Sequence, residues 1–412
     1  MTAHSVHQCT HVILLLYLMP IPTNLGQFIE QLRNDSLISY PPRLDGVRKQ
    51  NYISSKIPFP CENSTHLGRS KVKPDNVHRL RPGDIDVVGA MGDSLVAGNG
   101  ALEEYALGTF IEYRGVSWCA GGDGTWRQFM TLPNILKEFN PNVGGYSIGQ
   151  GEFLAPNSHM NVAFPVSADA DALRQAQHLI KKMKRDSSVD FKQDWKMVTI
   201  FFGANDLCSG QCYNKEGTTA LQHRKKLRQA LDYLQDHLPR TLVNLVPVLD
   251  VSVSVRVKRS LVCRLLHRFF CACFHQTGEV DEMNQITQLV KDYQQAEYDL
   301  IRSGRYNKKK DFTVVIQPFI KLFNIPADPK KKYSEVIDIS YVTYDCFHFS
   351  QKGHALAANL LWNNLLEPVG FKSEKSMNHL MERFLCPSEQ NPYIFTYNNT
   401  QTFLRTGSQV EV

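Results

Sequence analysis

Apolar and polar positions follow two different periods along the chain, and the two periods alternate. Four short runs rich in Val, Ile, Leu and Phe are typical of buried strands, at residues 85–91, 197–202, 242–248 and 312–317. Four segments carry apolar residues at helical spacing, at residues 170–184, 219–237, 280–302 and 353–366. Strands that alternate with helices predict an α/β fold with a mostly parallel sheet and helices on both of its faces.

The chain outside this alternating region has a different character. Residues 1–25 contain a short apolar run, too short to span a bilayer, which predicts a signal peptide or else a buried segment. Residues 26–80 are rich in Pro, Asn, Ser and Arg and are expected to form an irregular lead-in. One domain is predicted over residues 81–370, followed by a tail at residues 371–412 that Cys386 ties back.

Polar residues follow two of the predicted strands at once. The first strand leads into Gly92-Asp93-Ser94-Leu95 and the second into Gly203-Ala204-Asn205-Asp206. Ligands of open parallel sheets bind beyond the carboxyl ends of the strands, so these residues should meet at one edge. Asp345 and His348 stand three residues apart near the C-terminal end of the domain, within reach of each other on one turn.

These residue types are those that acyl transfer by a serine requires. Ser94 is the expected nucleophile, His348 its base and Asp345 the carboxylate that orients the imidazole. The backbone N–H of Ser94 and the side-chain N–H of Asn205 would hold the developing oxyanion. Asp206 is a second candidate partner for His348, and the alternative is that it braces the loop after Asn205.

The three motifs together resemble the first, third and fifth blocks of the SGNH hydrolases. That resemblance implies a three-layer α/β/α sandwich that works without a metal or other cofactor. The second block of the family supplies a glycine, and Gly122 is the matching position within residues 118–124. Gly122 is therefore expected to donate its N–H to the oxyanion beside Ser94 and Asn205.

Longer stretches resemble the animal phospholipase B family, across about residues 58–390. The matching segments are residues 92–101, 113–118, 131–136, 139–141, 206–208, 303–306 and 361–368. The resemblance implies hydrolysis of phospholipids and lysophospholipids at a membrane or micelle surface. Two departures are expected to reshape the pocket. Cys119 stands where a serine is expected, and residues 159–164 differ from the usual Leu-Asn-Gln-Ala.

Charge and cysteine content bear on partners and compartment. The net charge of +6 includes basic clusters, which indicate solvated faces or attraction to anionic lipid, at residues 181–185, 223–228, 308–310 and 330–332. No nucleic-acid-binding module accompanies them. The ten cysteines lack zinc-site spacing and predict disulfides in an oxidising compartment. The Cys-, Phe- and Leu-rich segment 259–274 suggests a lipid-touching lid, a disulfide-tied loop or a core helix.

The leading hypothesis is therefore a secreted or extracellular, membrane-associated lipid acyl-ester hydrolase. Asn-x-Ser/Thr sequons at Asn34, Asn63 and Asn398 favour a secreted glycoprotein. One alternative is a general carboxyl or carbohydrate esterase on the same fold. Another is a catalytically silent lipid-binding protein, against which the full set of catalytic residue types argues.

Overall fold

The structure of the protein is a computed structural model that describes most of the chain. The described residues are 47–62, 67–104, 106–252, 271, 273, 280–321, 338–374 and 376–410. The predicted signal peptide, Asn34, Asn63, the basic cluster at 330–332 and nearly all of segment 259–274 lie outside them.

Four parallel strands form one sheet in the order β1-β2-β3-β4. They are β1 Val87–Gly92, β2 Lys196–Phe201, β3 Thr241–Leu245 and β4 Phe312–Ile316. All four are buried along their whole length, as expected of a sheet covered on both faces. The third strand ends earlier than predicted because Pro247 has no N–H to continue the ladder, although the N–H of Val246 still donates to Ile200 O.

Helices fill the connections between the strands, and two more follow the last strand. They are α1 Ser94–Ala97, α2 Leu132–Leu136, α3 Ala172–Arg185, α4 Gln211–Tyr213, α5 Ala220–His237, α6 Val280–Arg302, α7 Gln351–Leu365 and α8 Tyr397–Thr406. A π-helical turn, Asp206–Gly210, runs into α4. Helix α7 begins two residues earlier than the apolar pattern predicts, because the Ser350 hydroxyl caps it by accepting the Gly353 N–H at 3.1 Å.

Two hydrophobic clusters cover the two faces of the sheet. On one face Val88 and Ala90 of β1 belong to a cluster with α2 and α7. On the other face Val87 and Met91 belong to a cluster with α3 and α5. The alternation of side chains along the strand places its apolar residues on both sides. The predicted three-layer α/β/α sandwich is confirmed.

A disulfide joins the two ends of the described chain. Cys61 is bonded to Cys386, across 325 residues. Nearby, the side-chain amide of Asn399 in α8 donates to His78 O at 3.0 Å. The lead-in and the tail thus lie against each other. Among the described residues, no helix combines the length and apolarity needed to cross a membrane.

Removing this disulfide should lower the stability of the protein markedly. Closing a long loop restricts the unfolded chain, and a native disulfide typically contributes roughly 2–5 kcal/mol to the free energy of unfolding. The double variant Cys61→Ser/Cys386→Ser should show this loss in urea unfolding. Cys119→Ser is the control, since Cys119 is a buried free thiol. Equal unfolding midpoints for the double variant and the native protein would contradict the expectation.

Candidate active site

Ser94 lies directly at the carboxyl end of β1, where the chain turns sharply into α1. A side chain at Gly92 would come within 2.6 Å of Phe201 O, so glycine is needed for the turn. Asp93 then caps α1, since its Oδ1 accepts the Leu95 N–H at 2.9 Å. Ser94 is 6% exposed. The sheet and the cap together hold the hydroxyl at a fixed, nearly buried position.

The predicted nucleophile, base and carboxylate form one continuous chain of hydrogen bonds. Ser94 Oγ lies 2.7 Å from His348 Nε2, and His348 Nδ1 lies 2.5 Å from Asp345 Oδ2. All three residues are buried. This order of contacts is that of a serine nucleophile, a general base and an orienting acid.

Asp345 is held by more than the imidazole. Its Oδ1 accepts the hydroxyl of Thr343 at 2.5 Å and the backbone N–H groups of Phe347 and His348 at 2.9 and 3.0 Å. Burial by itself would raise the pKa of Asp345, but the charge of His348 and these hydrogen bonds lower the pKa below its ordinary value. The carboxylate therefore stays ionised near neutral pH. Thr343 is a site residue that no sequence motif indicated.

Asn205 follows β2 and reaches the same edge as Ser94. Its side-chain amide donates to Ser167 O at 2.8 Å and, more weakly, to Pro165 O at 3.4 Å. The backbone N–H of Ser94 also donates to Pro165 O, at 3.1 Å. Two predicted oxyanion donors thus converge on one backbone oxygen.

Gly122 has a different role from the one expected. Its N–H donates to Ser147 O at 2.9 Å, so it is not directed at the oxygen that Ser94 and Asn205 share. A Cβ at this position would overlap the ring of Tyr146. The structure corrects the prediction: this glycine makes room for an aromatic ring, and its N–H serves a backbone bridge.

Asp206 stabilises the loop beside Asn205. Its Oδ2 accepts the Asp169 N–H at 2.9 Å, whereas the imidazole of His348 is paired with Asp345. Burial and the nearby charge of Asp169 raise the pKa of Asp206 to about 8. The sequence left two roles open for Asp206, as the partner of His348 or as a residue that braces the loop after Asn205. The geometry favours the second role.

Behind this loop lies a buried charged cluster that the sequence did not indicate. His223 Nδ1 lies 2.8 Å from Asp169 Oδ2, and its Nε2 lies 3.1 Å from Glu297 Oε1. The imidazole also stacks on the Tyr293 ring at 4.2 Å. Burial would lower the pKa of His223, but the two carboxylates raise it to about 10. Its place in the basic stretch 223–228 suggested a solvated face instead.

A sequence profile of the family described as GDSL-like Lipase/Acylhydrolase matches residues 88–361, which include Ser94, Asn205, Asp345 and His348. The chain belongs to this GDSL family. It is 40% identical over 390 residues to the human protein named "Phospholipase B1, membrane-associated". That match covers 93% of this chain and 26% of the human protein.

This GDSL family member also matches a second relative and a solved structure. The mouse protein of the same name is 38% identical over 339 residues, which are 79% of this chain and 22% of the mouse protein. The chain thus spans about a quarter of the length of these relatives. The solved structure of the psychrotrophic esterase EstA from Pseudoalteromonas sp. is 11% identical, with a TM-score of 0.29, and covers 66% of this chain and 92% of that one. The expected resemblance to animal phospholipase B sequences is confirmed.

Disulfides surround the site of this GDSL protein. Cys208 and Cys212, just after Asn205, are bonded to Cys271 and Cys273. Cys346, between Asp345 and His348, is also disulfide-bonded. The loops that carry Asn205 and His348 are therefore covalently restrained. Within the described ranges, no group of three or more His, Cys, Asp or Glu is arranged to hold a metal ion.

The cluster around His223 should make the folded protein less stable as the pH rises. Since the pKa of His223 is raised from 6.5 to about 10, its stabilising effect is complete below 6.5 and is lost as the pH rises through 10. The raised pKa of Asp206 acts in the same direction, because that carboxyl ionises at a higher pH when folded.

The variant His223→Gln should therefore lower the melting temperature more at about pH 6 than at about pH 9.5. The control is His237→Gln, which changes an exposed histidine at the end of the same helix, α5. A pH-independent difference between the native protein and His223→Gln would show that the histidine is not charged in the fold.

Proposed function

We propose that this chain hydrolyses acyl esters of phospholipids and lysophospholipids, with Ser94 as the nucleophile. The observation that carries the proposal is the unbroken hydrogen-bond chain from Ser94 Oγ through His348 to Asp345. A serine in such a chain is activated for attack on an ester carbonyl. The family to which the chain belongs consists of lipases and acylhydrolases, as its description says.

Each member of the chain has a distinct task in the proposed reaction. Ser94 Oγ attacks the ester carbonyl while His348 Nε2 takes its proton and then gives that proton to the departing alcohol. Asp345 accepts the hydrogen bond from Nδ1, which fixes the imidazole tautomer and stabilises the imidazolium. Water, deprotonated by His348, then attacks the acyl-enzyme and releases the fatty acid.

The oxyanion of the tetrahedral intermediate needs donors beside Ser94. The backbone N–H of Ser94 and the side-chain amide of Asn205 already point at one oxygen, that of Pro165. A substrate oxygen at the same position would receive both hydrogen bonds, and each such donor is worth roughly 3 kcal/mol of barrier. Gly122 has no part in this proposal, since its N–H is bonded to Ser147.

The lipid substrate and the location of the protein rest on different observations. The relatives named phospholipase B1 and membrane-associated support phospholipid as substrate and a membrane or micelle as the place of action. Disulfides are typical of oxidising compartments, which favours a secreted or extracellular, membrane-associated protein. Asn398 is the sequon within the described residues, although its amide also contacts His78 and Asn307.

The test is a direct comparison of ester classes. The purified protein should release fatty acid from phosphatidylcholine and lysophosphatidylcholine faster than acetate from a soluble aryl acetate or an acetylated sugar. An organophosphonate serine probe should label the protein, and the label should map to Ser94. Preference for the acetyl esters would favour the alternative hypothesis of a general carboxyl or carbohydrate esterase. A protein that binds lipid vesicles but neither labels nor hydrolyses would be a silent lipid binder.

A further inference from the structure

The oxygen that Ser94 and Asn205 hold belongs to the protein itself. Pro165 O lies 3.1 Å from the Ser94 nitrogen and 3.4 Å from Asn205 Nδ2. Hydrolysis requires these N–H groups for the substrate oxygen, because they stabilise the charge that develops there. Two oxygens cannot occupy one position. The described conformation is therefore closed to catalysis at the oxyanion position, although the nucleophile and its base are aligned.

The blocking oxygen lies in a short turn that we call the closing turn, residues Phe164–Ser167. It begins where the Phe164 N–H donates to Gly92 O at 3.1 Å and closes where the Ser167 N–H donates to Phe164 O at 2.9 Å. Proline at the second position suits such a turn because its φ is already fixed. Phe164 is the last of residues 159–164, which depart from the usual family sequence. The other three residues of the turn follow directly after that segment.

The closing turn is part of an exposed apolar rim around the site. We define the rim by its exposed apolar side chains: Ile111 at 40%, Ile148 at 48%, Leu154 at 64%, Phe164 at 37% and Val166 at 63% exposure. Apolar side chains gathered in this way on a surface mark an interaction site more often than a neutral one.

Contacts between loops make neighbours of several segments that carry the rim side chains. The Phe153 ring, next to Leu154, packs edge-on against the Phe164 ring at 5.3 Å. The Gly151 N–H donates to Glu112 O at 3.0 Å, and the Gly100 N–H donates to Ile111 O at 2.8 Å. Gly100 follows α1, which begins at Ser94, so the segment that carries Ile111 adjoins the chain just after the nucleophile.

A cationic side chain contacts the loop that carries Leu154. The ammonium of Lys182 in α3 donates to Ser158 Oγ at 2.7 Å and thereby attaches this helix to the loop that carries Leu154. Arg174 is exposed in the first turn of the same helix, after the closing turn in the chain. An apolar surface bordered by cations suits a lipid interface with anionic headgroups, where each nearby cation adds attraction.

We propose that the rim docks on an aggregated lipid surface and that docking withdraws Pro165 O from the oxyanion position. Val166 and Phe164 belong to the closing turn and flank Pro165. Their insertion among acyl chains therefore favours a conformation in which Pro165 O no longer accepts the hydrogen bonds of Ser94 and Asn205. The freed N–H groups of Ser94 and Asn205 then bind the substrate oxygen. Activity is thus coupled to the presence of an interface. This inference rests on the proposed hydrolase function.

The test follows a short-chain phosphatidylcholine through its critical micelle concentration. For the native protein, the rate per enzyme should rise at least about tenfold when micelles form, beyond what substrate saturation explains. Val166→Asp places a charge on the closing turn and should reduce that rise to about twofold or less. The matched control is Val72→Asp, since Val72 is 81% exposed and adjoins Lys73, which pairs with Asp86 at the amino end of β1. This control should keep the full rise.

A second measurement does not depend on the substrate. Organophosphonate labelling of Ser94 should be faster with anionic phospholipid vesicles than without them in the native protein and in Val72→Asp, but not in Val166→Asp. Labelling that is equally fast with and without lipid would overturn the closing-turn inference but would not contradict the proposed hydrolase function. A dimer in lipid-free solution that Val166→Asp dissociates would assign the rim to a second copy of the chain and also overturn it. No hydrolysis and no labelling under any condition would overturn the proposed function itself.

Discussion

Replacing Ser94 with alanine should abolish release of fatty acid, with a loss in kcat of roughly 10⁴-fold or more. The substitution removes the only atom of this residue that reaches His348 Nε2, at 2.7 Å, so no covalent acyl intermediate can form. The fold should be unaffected, because the turn into α1 is held by backbone contacts and by the Asp93 cap. Initial rates on lysophosphatidylcholine micelles and thermal unfolding would measure the two effects separately.

Ser147→Ala is the matched control for that experiment. Ser147 is also buried and its hydroxyl also makes a hydrogen bond, to Ser158 O at 2.6 Å. Its loss should cost about 1 kcal/mol of stability while the rate stays near that of the native protein. Lipase activity that survives Ser94→Ala at the native level would show that another nucleophile does the chemistry.

The variant Asp345→Asn should lower kcat by roughly 10³- to 10⁴-fold with little change in the fold. An amide at this position offers no negative charge to an imidazolium, and its NH₂ group favours the wrong tautomer of His348. The effect should lie in kcat more than in KM, because the contact between His348 Nδ1 and Asp345 Oδ2 stabilises the transition state and not the bound lipid.

Asp206→Asn distinguishes the two acids that the sequence offered as partners of His348. Its amide oxygen can still accept the Asp169 N–H, so the loop beside Asn205 should keep its shape. The loss in kcat should stay below about tenfold, far smaller than for Asp345→Asn. A larger loss for Asp206→Asn than for Asp345→Asn would reverse the assignment.

The strands and long helices of this protein could be predicted from the sequence within a few residues. Their patterns are local: an apolar, β-branched run such as that of β2 is buried wherever it lies, and α3 repeats its apolar residues every three or four positions. Element ends were less predictable because they depend on single contacts. The Ser350 cap lengthens α7, and Pro247 shortens the third strand.

The members of the hydrogen-bond chain from Ser94 through His348 to Asp345 could be predicted for a related reason. Asp345 and His348 are three residues apart, and Ser94 follows the end of a strand, so local patterns single out each group. That Ser94 meets His348 across 254 residues is decided by the tertiary fold. Gly122 could not be assigned correctly from its motif. A glycine in such a motif can donate its N–H to an oxyanion, or it can leave space for an aromatic ring. Only the neighbouring Tyr146 ring, which is distant in sequence, decides between the two.

The sequence by itself therefore determined the α/β class and the positions of the main elements, and it singled out Ser94, His348 and Asp345 as the candidate catalytic residues, since each inference depends on residues close together in the chain. The tertiary structure decided which acid supports His348, which cysteines pair, and how Asp169 and Glu297 enclose His223 across 54 and 74 residues. It also placed Pro165 O within hydrogen-bond distance of the Ser94 nitrogen and of Asn205 Nδ2. Such contacts join segments that are distant in sequence, and hydrogen bonds and burial arise only once the whole chain has folded.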